Sequence, residues 1–303
     1  MSRPATGLSH GSDPVRILSW NIEHGRAVKE ARRWISRLPA EPDVVCVQEL
    51  RPGDEELLQE PWGTGYVAEP RPGSSHANAI FVREDGDAAF VVTDAFDHPA
   101  VLGHAPANVA VRLRGPDGSL SDRALSLFCI HASFNSPTTR LIEAEFLNRF
   151  AQPGWLTVAM GDFNDAPAGT VVDWDEVTDR AFYAHRTYPL AGGERPTDDR
   201  ADRTLRAAGY IDPAAWAAEH LRLEKDPLAP TAGYRRPDQG GLRRVDRAYV
   251  TGPLAPAICG YWVGDRIEDP ELEDISDHLP VMLELDRTEL SRLMSNRQAS
   301  TAA

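Results

Sequence analysis

The strongest constraint on the fold is a series of short apolar runs, each ended abruptly by a polar residue. They read VRILSW, DVVCVQ, NAIFV, AFVVTD, NVAVRLR, LSLFCI, WLTVAM, RAYV and PVMLEL, spread from residue 15 to residue 285. All are of strand length, and several are apolar at almost every position, as expected of strands covered on both faces. Such sheets need helices or a second sheet on each side, so the chain must fold in layers. Amphipathic segments lie between the runs. Val28, Ala31, Ile35 and Leu38 mark one apolar helical face, closed by Pro39. Ser136-Pro137 and Asp212-Pro213 each pair a capping side chain with a proline suited to the first turn. Arg114 to Gly118 reads as a hairpin connection. No internal repeat or low-complexity linker interrupts this mixture. The expectation is one α/β domain over residues 15–286, with a flexible tail at 1–14 and a short helix fading into a polar tail over 287–303.

The polar residues that end the runs carry the functional signal. VRILSW runs into Asn21, DVVCVQ into Glu49, LSLFCI into His131, and WLTVAM into Gly161, Asp162 and Asn164. Asp246 opens the RAYV strand, and Asp277-His278 precede PVMLEL. Taken singly, each has a bland explanation as a turn residue, an exposed strand end or a satisfied histidine. Six strand ends together offer only carboxylate, carboxamide and imidazole groups, without a thiolate. That set suits a hard divalent cation such as Mg²⁺. The sequence holds no G-x-S-x-G, H-E-x-x-H, C-x-x-C or phosphate-loop motif. Cys46, Cys129 and Cys259 are far apart among apolar residues, the pattern of packing thiols. Their spacing favours a cytoplasmic setting, and no run approaches the length of a membrane span.

The ordered motifs LSWNIEHG, VCVQEL, IHAS, GDFND, RVDRAYV and SDHLPV resemble those of the endonuclease/exonuclease/phosphatase superfamily over nearly the whole chain. That superfamily includes DNase I-like nucleases, abasic-site endonucleases, inositol polyphosphate 5-phosphatases and bacterial sphingomyelinases. The resemblance implies an α/β four-layer sandwich, two packed mixed β-sheets flanked by helices. Its site lies at one edge of the sheets. It implies Mg²⁺, with Mn²⁺ as an alternative, held principally by Glu49 with Asn21 and Asp277 close by. Asp162 would orient or deprotonate the attacking water, and Asn164 would position it and the phosphate. His278 would contact a phosphate oxygen with Asp246 fixing its ring, and His131 would be a second imidazole at the phosphate. DNase I-like nucleases pair that last histidine with a glutamate. The corresponding stretch here, GHAPANVAVRL, offers His104 and Asn108 without a carboxylate, and Asn108 is assigned to substrate contact.

The resemblance implies a phosphate-ester substrate, and a small molecule is expected over nucleic acid. A net charge of −14 repels a polyanion at long range. The segment YRRPDQGGLRRVDR surrounds Asp246 with arginines, of which Arg235 and Arg244 are expected to clamp an anion. Against it, residues 265–277 carry seven acids and one arginine, an acidic rim unsuited to a long polyanion. A DNase I-like nuclease is the alternative reading, and a non-catalytic phosphate-binding module on the same fold is a third. No protein partner can be inferred from the sequence.

Overall fold

The computed structural model describes residues 13–71, 73–84, 86, 88–98 and 103–295. The expected tail at 1–14, apart from its last two residues, and the polar end after Ser295 lie outside the described residues. In chain order the strands are β1 (Val15–Asn21), β2 (Val44–Leu50), β3 (Thr64–Val67), β4 (Ala77–Val82), β5 (Phe90–Phe96) and β6 (Ala107–Leu113). They continue with β7 (Leu125–His131), β8 (Thr157–Asp162), β9 (Tyr210–Ile211), β10 (Asp246–Thr251), β11 (Ile258–Val263) and β12 (Val281–Leu285). One six-stranded sheet has the order β11-β12-β1-β2-β4-β3, and the other β5-β6-β7-β8-β10-β9. Both are mixed: β1–β2 and β7–β8 are parallel pairs among antiparallel neighbours.

The helices are α1 (Val28–Ile35), α2 (Glu55–Trp62), α3 (Pro137–Asn148), α4 (Arg180–Arg186), α5 (Arg200–Ala207), α6 (Pro213–His220), α7 (Glu271–Ile275) and α8 (Arg287–Ser295). The first buries Val28, Ala31, Trp34 and Ile35, with the Trp34 ring edge-on to Trp20 at 5.3 Å. The Ser136 hydroxyl caps α3 by accepting from Thr139 N–H at 3.2 Å, and Asp212 caps α6 through Ala214 and Ala215 N–H. The outcome is an α/β sandwich of two packed sheets flanked by helices.

Alternation along the second sheet separates two environments. Leu127, Cys129, Val158, Met160, Ala248 and Val250 join the main core, whereas Phe128, Ile130, Ala159 and Tyr249 pack with α3 and α5 residues in a separate cluster. Gln48 bridges the sheets by donating to Ser19 Oγ and Cys129 Sγ, each at 3.0 Å. Cys46 and Cys129 are buried and Cys259 is half-buried; all three are free thiols. No helix among the described residues is long and apolar enough to cross a membrane.

Candidate active site

The inward parity of the second sheet continues past its apolar residues onto chemistry. His131, Asp162 and Asp246 lie on one rung across β7, β8 and β10, since His131 pairs with Asp162 and Asp162 with Asp246. Sharing the face of Cys129, Met160 and Ala248, they extend the core into a polar patch. Gly161 makes this close approach possible: at φ +151° it takes a conformation that L side chains rarely adopt, and a Cβ there would overlap the Ile130 carbonyl. The next turn is closed by Asn164, at φ +52°, whose N–H donates to Asp162 Oδ1 at 2.9 Å.

The first sheet contributes Asn21 and Glu49. The β2–β4 ladder slips between Val47 and Leu50, and Glu49 takes φ +63° at that bulge. Regular alternation would turn it to the opposite face from Gln48; the bulge re-aims it toward the site. Asn21 Nδ2 donates to Glu49 Oε1 at 3.0 Å and to Asp162 Oδ2 at 3.3 Å, tying the two sheets together. His131 Nε2 lies 3.8 Å from Glu49 Oε1 and 3.7 Å from Asp162 Oδ2. Two carboxylates thus serve the imidazole in place of the absent glutamate partner.

Burial alone would raise both acids. For Glu49, His131, Asn21, His24 and His278 outweigh it and hold the carboxyl below its ordinary value. For Asp162, His278, His131, Arg186 and the Asn164 N–H do the same. His278 Nδ1 is 2.8 Å from Asp246 Oδ2, leaving Nε2 3.9 Å from Asp162 Oδ2. Burial opposes the imidazolium, but Asp246 and Asp162 push its pKa up to about 10. Burial, with Asp162 adding to it, raises Asp246 although His278 opposes.

Asp277 and Arg235 line the same recess of about 150 Å³ as Asn164 and His278. The guanidinium of Arg235 is already engaged, by Glu23 Oε2 at 2.7 Å and Ser276 O at 3.1 Å. Two expected contacts do not join it. Arg244 turns to Asp212 Oδ2 at 2.6 Å, tying the β10 approach to the α6 cap. Asn108 has the opposite parity from Val109 and Val111, so it faces away from the inter-sheet core. Its amide donates to Ser126 Oγ and Leu127 O, and its oxygen meets His98 Nε2 at 3.0 Å. The acidic rim is partly paired as well, through Arg37–Glu271, Lys225–Glu268 and Arg266–Glu273.

The structure brings in residues to which the sequence had assigned no role. His24 approaches Glu49 Oε2 at 2.7 Å through both its backbone N–H and Nδ1, and its ring stacks on His76 at 4.5 Å. The IEHG of the first motif was the available signal. His104 stacks on His131 with centroids 4.4 Å apart and planes 4° apart. Burial and the neighbouring His131 lower its pKa to about 4. Glu143 on α3 fastens both strand-end loops, accepting from Gly103 N–H and Ser133 N–H at 2.8 Å each. Arg186 and Arg243 border the recess; Arg243 belongs to the arginine-rich segment before Asp246, whereas nothing in the local sequence marked Arg186.

Glu49, with Asn21 Nδ2 at 3.0 Å, offers carboxylate oxygens of the kind a divalent cation takes. Asp162, Asp246 and His278 also bring ligand-type atoms within 4.8 Å of one another. As the structure stands, the 2.8 Å contact between His278 Nδ1 and Asp246 Oδ2 makes this trio a hydrogen-bonded relay.

A profile of the Endonuclease/Exonuclease/phosphatase family matches residues 18–278. Comparison with curated proteins gives no match. Among solved structures, truncated TDP2 from Caenorhabditis elegans is similar with a TM-score of 0.55 and 19% identity, over 90% of this chain and 97% of that one. A variant of the 3' phosphatase NExo from Neisseria, bound to a product DNA hairpin, gives 0.59 and 18%, over 89% and 99%. An AP endonuclease from Archaeoglobus fulgidus gives 0.58 and 16%, over 90% and 99%. These three likenesses establish the fold. With the profile spanning the residues from β1 to His278, the chain belongs to the Endonuclease/Exonuclease/phosphatase family.

Proposed function

We propose that the protein hydrolyses a compact phosphate ester with the help of a divalent cation, Mg²⁺ being expected and Mn²⁺ an alternative. The observation that carries this reading is the convergence of Asp162, His278 and Glu49 at one end of the two sheets, where their neighbours hold the two acids below and the imidazole above their ordinary pKa values. Glu49, with Asn21 beside it and Asp277 as a further donor, would hold the cation, whose chemistry is to polarise a phosphoryl oxygen and stabilise the leaving oxygen. Asp162 takes a proton from the attacking water. His278 donates from Nε2 to a phosphate oxygen, with Asp246 fixing its tautomer through Nδ1. His131 supplies a second imidazole between the two acids. Asn164 has a revised role: its Nδ2 donates to Ala132 O and Asp162 Oδ2, both at 3.0 Å, so it positions the base rather than the substrate.

A compact substrate is favoured by the −14 charge and by the small recess between Phe134, Phe182 and Arg235. A nuclease is the second reading, favoured by the DNA products bound to the Neisseria enzyme and to D. rerio TDP2. The test is hydrolysis of bis-p-nitrophenyl phosphate beside nicking of supercoiled plasmid, in Mg²⁺ and in EDTA, with Asp162→Asn as control. Metal-dependent diester cleavage with intact plasmid supports the proposal. Plasmid nicking lost in the variant would move the assignment to a nuclease. Loss of both activities with retained metal binding would leave a narrow specificity, and loss of metal binding too would leave a binding module.

A further inference from the structure

Arg186 and Arg243 are unlike the other arginines around the site. Arg235, Arg236, Arg244 and Arg247 each meet a carboxylate. Among the described residues, Arg186 and Arg243 meet only carbonyl oxygens. Arg186 donates to Asn164 Oδ1 at 2.5 Å and to Phe134 O, and Arg243 to Gln239 O at 2.8 Å and Gly241 O at 3.1 Å. Each leaves a buried Nε without a partner. Both guanidinium groups lie over the ring of Phe182, at 4.9 Å and 4.5 Å from its centroid. Burial, then Arg140, and also Arg243 lower the Arg186 guanidinium to about 9, against the pull of Asp162.

Stacking on an aromatic ring explains one arginine well. It does not explain two that repel each other, both partly desolvated and neither in direct contact with a carboxylate, the nearby acids acting only from beyond ion-pair distance. Their position suggests the missing partner. They border the 150 Å³ recess that holds His278 and also a neighbouring cavity of about 600 Å³. That larger cavity is walled in part by Val172, Trp174, Leu228 and Leu242. Arg186 reaches the reacting end only through Asn164, so the pair stands one residue removed from Asp162.

We propose that Arg186 and Arg243 bind a second phosphate group of the substrate, between the ester to be cleaved and an organic portion seated in the larger cavity. This rests on the hydrolase reading and names its substrate class: a compact ester with two phosphate groups. Paired guanidinium forks suit an oxyanion better than any acceptor they now hold. The anion would also relieve their mutual repulsion.

The test is calorimetric titration of the full chain with inorganic pyrophosphate and with orthophosphate, in EDTA and without turnover. Pyrophosphate is expected to bind about tenfold more tightly than orthophosphate, roughly one additional charge-assisted contact pair. Arg243→Gln should abolish that preference while leaving orthophosphate affinity within about twofold. Arg243→Lys, which keeps the charge and loses the fork, should retain part of it, and it carries the test if the glutamine variant fails to fold. Equal affinities in the unsubstituted protein, or equal losses for both anions, would overturn the proposal. Because the titration is run in EDTA, metal-dependent diester cleavage in the separate assay would survive such a failure.

Discussion

Glu143 should make the stability of this protein depend on pH through the loops that carry the site. Its side chain is 6% exposed, and burial raises its pKa from 4.5 to about 7 against the opposing Ser133 and Gly103 N–H groups and Arg140. An acid whose folded pKa is raised binds its proton more tightly when folded. Its contribution is fully present below pH 4.5, and it declines as pH rises through about 7. Between pH 5 and pH 8 the loss is about 2 to 3 kcal/mol, at roughly 1.4 kcal/mol for each tenfold difference in proton affinity. His76, His104, His185 and His278 also exchange protons on unfolding within this range, so the raw curve mixes several groups. Glu143→Gln isolates one of them. The amide offers a single acceptor oxygen to two backbone N–H donors, so the variant should start about 1 to 3 kcal/mol less stable at pH 5. The gap should then narrow by about 2 to 3 kcal/mol by pH 8. Urea denaturation of both proteins at pH 5, 6, 7 and 8 measures it. A constant gap across that range would refute the claim that Glu143 takes up a proton on folding.

Three further outcomes are expected. Glu49→Gln should lower metal-dependent diester cleavage by about 100-fold or more while leaving the denaturation midpoint nearly unchanged, and unaltered turnover would remove Glu49 from the cation site. Asp246→Asn should bring the His278 pKa down from about 10 by roughly 2 units or more in metal-free protein, so that the ring loses its charge nearer neutral pH. A histidine NMR titration shows it, and a pKa within about one unit of the original argues that Asp162 holds the proton instead. Gly161→Ala should cost about 3 kcal/mol or more and disable the site, because the added carbon overlaps a strand carbonyl. Gly209→Ala, at φ +96° with nothing within 4 Å, should cost only about 1 to 2 kcal/mol by comparison.

The legible part of the molecule is the part encoded by short periodicities. Apolar runs of strand length announced β1, β2, β7 and β8, and the serine and aspartate caps announced α3 and α6, because a few neighbouring residues decide both. The ends of those runs could be picked out for a related reason. Where a buried strand stops at Asn21, His131 or Asp162, a polar side chain replaces an apolar one in the same inward register.

The arginines were not legible in this way. Arg243 and Arg244 are adjacent in a loop without periodicity, and only packing around Phe182 and Asp212 turned one to the recess and the other away. Asn108 stands apart from the site because its strand parity, which the pairing with β7 sets, turns it away from the inter-sheet core. Glu49 needed a bulge that no local pattern announces, and Glu143 acts through loops 40 and 10 residues away in the chain. The sequence alone determined which strands exist and which of them end in oxygen and imidazole donors, since those are local properties of the chain. Only the tertiary structure decided which side chains meet, because register, bulges and loop packing depend on contacts between residues far apart in sequence.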